Sequence, residues 1–171
     1  DQNMNVRIYK VLNPLARAYF TDCWEWVENH NDVIDKLFEP EKSGFNPCKK
    51  TILEPSAKTG EVAQLPCQRE ARSTDSLVSI DKDSANEVLL SLDAKRAGFL
   101  VLADQFYPGW IAELDGKQSE ILQANCFTRA IAVPEGKHHV RFIYQPQSLL
   151  WGFILCAIGL VWSFLLIFKK P

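Results

Sequence analysis

Little in this chain of 171 residues belongs to the common vocabulary of catalysis. It has no Gly-x-Ser-x-Gly motif, no phosphate-binding glycine loop and no dinucleotide glycine pattern, so three large enzyme classes lose their sequence signature. Histidine is scarce, with only His30, His138 and His139. No Cys-x-x-Cys occurs and the histidines stand far from the cysteines along the chain, which argues against a metal site of usual spacing. His138 and His139 are adjacent on a predicted strand, so their side chains leave opposite faces and share no ion easily. Long runs of one charge sign are missing, and no basic stripe is interleaved with aromatics. Nucleic acid is therefore not an expected partner. No cofactor is indicated.

One long feature stands out instead. From Leu149 to Phe168 the chain runs twenty residues without a charged side chain, then reaches Lys169-Lys170-Pro171. At 1.5 Å per residue such a helix is about 30 Å long, the thickness of a bilayer's hydrocarbon core. Trp151 near one end, with Trp162 and Phe168 toward the other, suits the amphipathic interface zones. The lysines after the span favour a cytoplasmic C-terminus and leave the rest outside. The reading is an extracytoplasmic domain at 1–148, a transmembrane helix at 149–168 and a cytoplasmic tail at 169–171. Residues 1–148 carry 17 basic and 21 acidic side chains, an excess of four negative charges. They suffice for one domain with a real core. The chain opens at Asp1 with no basic-then-apolar leader, which fits a cleaved signal or a longer membrane protein equally.

Five cysteines are present. Cys156 lies in the span and is expected to pack as a small apolar residue. Cys23, Cys48, Cys67 and Cys126 fall in the part assigned outside, where disulfides persist. Four cysteines allow three complete pairings. Cys48 and Cys67 bracket a short strand and a Pro/Gly-bearing loop and are the favoured pair.

Alternation of apolar and polar residues predicts a strand at Val6–Val11, and a richness in aromatic and β-branched residues a second over Ala16–Val27. A short helix is predicted at Asp32–Phe38, with Asn31 as N-cap and Val33, Ile34, Leu37 and Phe38 as its apolar face. Residues 40–75 are rich in Pro and Gly and hold one predicted strand, Lys49–Glu54. Apolar runs then recur at 77–81, 87–92, 98–103, 110–114, 119–123, 127–133 and 138–144. Asp115-Gly116 predicts a tight hairpin and Pro134-Glu135-Gly136-Lys137 a second one. The fold class expected is mainly β: an antiparallel β-sandwich, immunoglobulin-like or jelly-roll-like, with one short helix and a single C-terminal transmembrane helix. Tyr144 to Ser148 join the last strand to the span, and five residues reach at most about 17 Å. The domain should therefore lie close to the membrane surface.

The densest cluster is Ala103-Asp104-Gln105-Phe106-Tyr107-Pro108-Gly109-Trp110. Tyr107 and Trp110 can serve as an aromatic platform for a sugar ring, with Asp104 accepting hydroxyl protons. The same residues equally describe a strand end, a Pro-Gly turn and aromatics that anchor the sandwich, which is the commoner arrangement. Arg129, set among apolar residues, is expected to pair with a nearby carboxylate. Asp104, Tyr107, Trp110 and Arg129 are thus the candidate binding surface. Asp104, Glu113 and Asp115 do not read as a glycosidase pair, because Asp115 is explained by its turn and Glu113 by strand alternation. His30 is expected to be exposed. In the span, Gly152 and Gly159 are seven residues apart on one side of the helix and, with Ser163, form a candidate helix-packing face.

Residues Phe99–Asp104, Tyr107-Pro108-Gly109-Trp110, Asp115-Gly116-Lys117, Ala124-Asn125, Phe127–Ala130, Val133–His138 and Tyr144-Gln145-Pro146 form an ordered series. Together with Val6–Tyr9, Pro14–Tyr19, and Phe45-Asn46-Pro47 ahead of Lys50–Leu53, it resembles the C-terminal outer domain of YfhO-type bacterial membrane proteins. Residues 55–90 carry little of the likeness. Members of that family resemble multi-span glycosyltransferases that use lipid-linked sugar donors, with a final membrane helix after the outer domain. Their catalytic acidic residues are expected in a membrane region this chain does not contain, so no catalytic residue carries over and no independent enzyme activity is expected. The resemblance implies the bacterial inner membrane, crossed once. Expected partners are the lipid bilayer, other membrane protein subunits and, as a further candidate, a glycan. The leading expectation is a non-catalytic single-span subunit that docks on and stabilises a larger membrane complex. The alternative is a C-terminal module of a YfhO-like glycosyltransferase that positions a glycan or acceptor.

Overall fold

The computed structural model describes residues 14–55 and 75–168. The predicted strand at Val6–Val11 lies outside them. Among the described residues, eleven strands form two sheets: β1 (Ala18–Thr21), β2 (Trp24–Trp26), β3 (Thr51–Glu54), β4 (Leu77–Ser84), β5 (Glu87–Ala94), β6 (Gly98–Gln105), β7 (Trp110–Leu114), β8 (Lys117–Ser119), β9 (Leu122–Ala124), β10 (Thr128–Val133) and β11 (Gly136–Tyr144). One sheet has the order β1-β6-β10-β9-β3-β2 and the other β4-β5-β11-β7-β8. The described pairings are antiparallel except β2 with β3. The expected two-sheet β architecture is present.

The predicted strand over Ala16–Val27 is broken in two. Thr21 Oγ1 donates to Cys23 O at 2.7 Å and accepts from Cys23 N at 3.2 Å, which diverts the backbone from its ladder. The halves then take opposite edges of the six-stranded sheet. Only Asp22 and Cys23 separate Thr21 from Trp24, and the three residue steps reach about 10 Å. Six strands laid flat would place their edges about 24 Å apart. The sheet must therefore curl on itself. Its concave face holds Tyr19, Trp24, Leu53, Phe99, Val101, Leu122, Ala124 and Ala130, with Trp24 and Trp26 meeting Phe99 edge-on at 4.9 and 5.9 Å. Its convex face packs on the second sheet through Phe20, Leu90, Leu100, Leu102, Ile131, Val140 and Phe142. This is why β6 is buried on both faces while β5 alternates.

Asp115 (φ 51°) and Gly116 (φ 77°) form the predicted tight hairpin between β7 and β8. The other predicted hairpin is corrected. Residues 134–135 lead from β10 in the first sheet to β11 in the second, so they cross between layers. Likewise, the run at 119–123 is not one strand: β8 pairs with β7, β9 pairs with β10 and β3, and Glu120-Ile121 makes the crossing. Periodicity alone cannot see such a change of sheet, because both strands keep an apolar inward face.

The short helix α1 spans His30–Phe38 and is capped by Asn29, whose side chain accepts from Asn31 N. The cap is thus two residues earlier than Asn31. Val33 is buried with Val27, Phe45 and Ile52, and Leu37 packs beside it. Phe38 is 72% exposed. It lies five residues beyond Val33, about 140° around the helix, whereas Leu37 is within about 40°. A second helix, α2 (Pro40–Ser43), which the pattern did not reveal, begins on Pro at its first position and ends on Gly44 at φ 65°. The last helix, α3 (Gln147–Phe168), begins two residues ahead of the predicted span. It is long and apolar enough to cross a membrane, and Gln147–Phe164 are exposed on every side.

Candidate functional site

The two sheets splay at one end, where β6 finishes, β7 and β10 begin, and β11 finishes. Beyond inward Leu102, β6 delivers Asp104 on the same face two residues on. Beside it, Arg129 projects from β10 into the gap between the layers and is 2% exposed. Arg129 Nη2 donates to Asp104 Oδ2 at 2.9 Å, as the sequence predicts. Its guanidinium carbon lies 3.9 Å from the centre of the Trp110 ring and 5.4 Å from that of Phe142. Trp110 in turn meets Tyr144 at 5.3 Å. Arg129 Nε and Nη1 are buried and meet no acceptor among the described residues.

Arg17, which sequence reasoning did not single out, closes the network. Its Nε and Nη2 donate to the two oxygens of Asp104 at 2.8 and 3.0 Å, a forked pairing. It also binds Asp83, with Nη2 at 3.2 Å from Oδ1 and Nη1 on Oδ2. The hydrogen bonds from Arg17 hold the Asp104 carboxyl below the usual aspartate range. Burial pushes the Arg129 guanidinium down, while Asp104 opposes this. Two arginines and two aspartates thus balance in charge. They line a cleft of about 780 Å³ with Asn86, Tyr107, Trp110 and Tyr144.

Three of the four candidate binding residues, Asp104, Trp110 and Arg129, are therefore in contact, and Tyr107 lines the same cleft with 57% of its surface exposed. The guanidinium of Arg129 covers one face of Trp110, and Tyr107 is the more exposed aromatic of the cleft. The missed partners are Arg17, just ahead of β1, and Asp83 on β4, and no spacing rule links positions 17, 83, 104 and 129.

The other carboxylates are engaged elsewhere. Asp115 accepts from His139 N at 2.8 Å and pairs with His138 Nδ1 at 2.6 Å, which holds its carboxyl low. Glu113 faces Arg141 at 3.4 Å on the outer side of the second sheet. His138 is inward and His139 outward, meeting Ser91, as alternation requires.

A separate trio was missed because its members are far apart in sequence. His30 Nδ1 lies 2.8 Å from Glu54 Oε2, and its Nε2 lies 3.8 Å from Cys126 Sγ. Cys126 stands at φ 74° in the β9–β10 turn. The layout resembles a relay, but burial and then the Glu54 charge push the Cys126 thiol up. No group of three or more His, Cys, Asp or Glu suited to a metal ion occurs among the described residues.

Cys48 is exposed, and its favoured partner Cys67 lies outside the described residues. Gly152, Gly159 and Ser163 are exposed on α3, and a side chain added at either glycine would meet nothing within 4 Å. Comparison of the chain with family models, curated proteins and solved structures gave no match.

Proposed function

We propose that this protein is a non-catalytic, single-span membrane subunit whose outer β-sandwich and helix dock on a larger membrane protein assembly. One observation carries the reading: α3 is apolar around its whole circumference, and none of the eighteen-residue window Gln147–Phe164 is buried in the fold. A helix of that kind needs lipid or other membrane helices around it. Gly152, Gly159 and Ser163 supply small surfaces for close helix approach. The lysines at 169 and 170 favour a cytoplasmic C-terminus, with the sandwich on the outer side of a bacterial inner membrane.

Native purification in mild detergent, with identification of co-purifying chains, tests the proposal. Stoichiometric partners bearing membrane helices are expected. A chain that leaves the membrane alone and monodisperse would refute docking. Protease added to spheroplasts should digest the sandwich and spare a C-terminal tag.

The cleft favours a second reading, a glycan- or acceptor-positioning module of a YfhO-like glycosyltransferase. Paired Asp104 and Arg17 beside exposed Tyr107 offer hydroxyl acceptors, donors and an aromatic face at one opening. Saturable binding of soluble glycans, lost in Tyr107→Ala, would support this reading over the first.

A further inference from the structure

The end of the sandwich from which α3 leaves carries three aromatic side chains that the described fold leaves open. Phe106 is 37% exposed, and Tyr107 and Phe127 are each 57% exposed. They form one rim: Phe106 N donates to Phe127 O at 2.6 Å, and Tyr107 follows in the β6–β7 loop. Strand directions fix where that rim lies. β11 runs toward α3 and its last residue, Tyr144, pairs with Trp110, the first of β7. Thr128, the first residue of β10, pairs with Gln105, the last of β6. The loops at 106–109 and 125–127 therefore sit at the base of α3.

The junction holds them there. Only Gln145 and Pro146 separate β11 from α3. Gln145 N donates to Gly109 O at 2.6 Å. A Cβ on Gly109 would lie 2.9 Å from the Tyr144 ring and 3.1 Å from Pro146, so loop and junction are packed backbone to backbone. The rim cannot withdraw from the bilayer surface while α3 crosses it. Exposed aromatics gathered at such a level match the preference of amphipathic rings for the headgroup zone. Charge is not the attraction, because Arg17 and Arg129 are matched by Asp83 and Asp104.

We propose that Phe106, Tyr107 and Phe127 enter the headgroup–acyl boundary and hold the sandwich end-on against the bilayer. The proposal rests on α3 spanning the membrane. The test uses the full chain in phosphatidylcholine nanodiscs, with a benzoylphenylalanine photoprobe placed in turn at Phe106, Tyr107 and Phe127. Leu155, within α3, reports on anchoring. Leu77, 72% exposed at the start of β4 opposite Asp93, marks the far end. Lipid adducts at the rim should come within about threefold of Leu155 and exceed Leu77 by about tenfold or more. Added phosphatidylglycerol should leave the yields unchanged, and Phe106→Ser with Phe127→Ser should lower the adduct at Tyr107 but not at Leu155. Rim yields at the Leu77 level, beside a strong Leu155 adduct, would overturn the rim contact and leave the anchor standing. Loss at Leu155 as well would remove the anchor reading itself. In native membranes, rim adducts to protein in place of lipid would also overturn the proposal.

Discussion

The guanidinium carbon of Arg129 lies 3.9 Å from the centre of the Trp110 ring, and its Nη2 donates to Asp104 at 2.9 Å. A guanidinium can offer its face to the ring and an edge N–H to the carboxylate at once, whereas an ammonium has no face to stack. The arrangement closes the core at the end from which α3 leaves while keeping a charge inside it.

Substitutions at Arg129 should reveal which part of that contact matters. Arg129→Lys should cost about 2 kcal/mol, because a buried ammonium loses the stack on Trp110 and meets Asp104 less well. Arg129→Met should cost less, since Asp104 keeps Arg17 and the thioether can pack on Trp110 and Phe142. Thermal unfolding in detergent, followed by circular dichroism, gives the ranking. Arg129→Met melting below Arg129→Lys would show that charge, not shape, holds this end together.

Acid should weaken the fold through Asp104 and Asp115. Arg17 holds the first carboxyl low and His138 the second, so both folded values lie below the unfolded ones. The stabilisation is then present above the unfolded aspartate value of about 3.9 and disappears as pH falls through the folded values. The melting temperature should stay level from pH 7 to about 5 and drop below about 4. Asp104→Asn with Asp115→Asn should lower the plateau and flatten the acid limb. An unchanged acid limb in that double variant would assign the loss to other groups.

The glycines separate close packing from backbone conformation. A Cβ on Gly98 would lie 2.4 Å from Thr21 O and 2.6 Å from the Phe20 ring, where β6 meets β1. Gly98→Ala should therefore cost about 1–3 kcal/mol by overpacking. At Gly116 (φ 77°) the added methyl meets open space. Gly116→Ala should cost about 1 kcal/mol, from the left-handed backbone alone. Equal melting of the Gly98→Ala variant and the parent chain would mean that β1 can move away from β6.

Most of the fold was legible because β alternation and turn chemistry are local. The Asp115-Gly116 hairpin and the apolar runs of β4 to β7 needed no knowledge of distant residues. The misses share one cause. The division of Ala16–Val27, the crossing at residues 134–135 and the crossing at Glu120-Ile121 depend on which sheet a strand joins, and an inward face looks alike in either sheet. The site divides the same way. Asp104, Tyr107 and Trp110 stand close in sequence and were found together. Arg17 reaches Asp104 only through the pairing of β1 with β6, and Asp83 reaches Arg17 only because β4 packs on β1. The His30–Glu54–Cys126 trio is likewise a product of topology.

That trio supports a final prediction about reactivity. Proximity of an imidazole to a thiol suggests an activated nucleophile, but here burial and then the Glu54 carboxylate raise the Cys126 pKa. The thiolate, not the thiol, attacks alkylating reagents, so Cys126 should react slowly near neutral pH. After reduction, exposed Cys48 should label ahead of Cys126 in peptide mapping with iodoacetamide. Glu54→Gln removes the opposing charge but keeps an oxygen to meet His30, so it should speed Cys126 alkylation at fixed pH. A slower rate in Glu54→Gln would mean that Glu54 works through His30 as an orienting partner, drawing the thiol proton toward the imidazole. In that case the trio would be an activated site, and the non-catalytic reading would need revision at this turn.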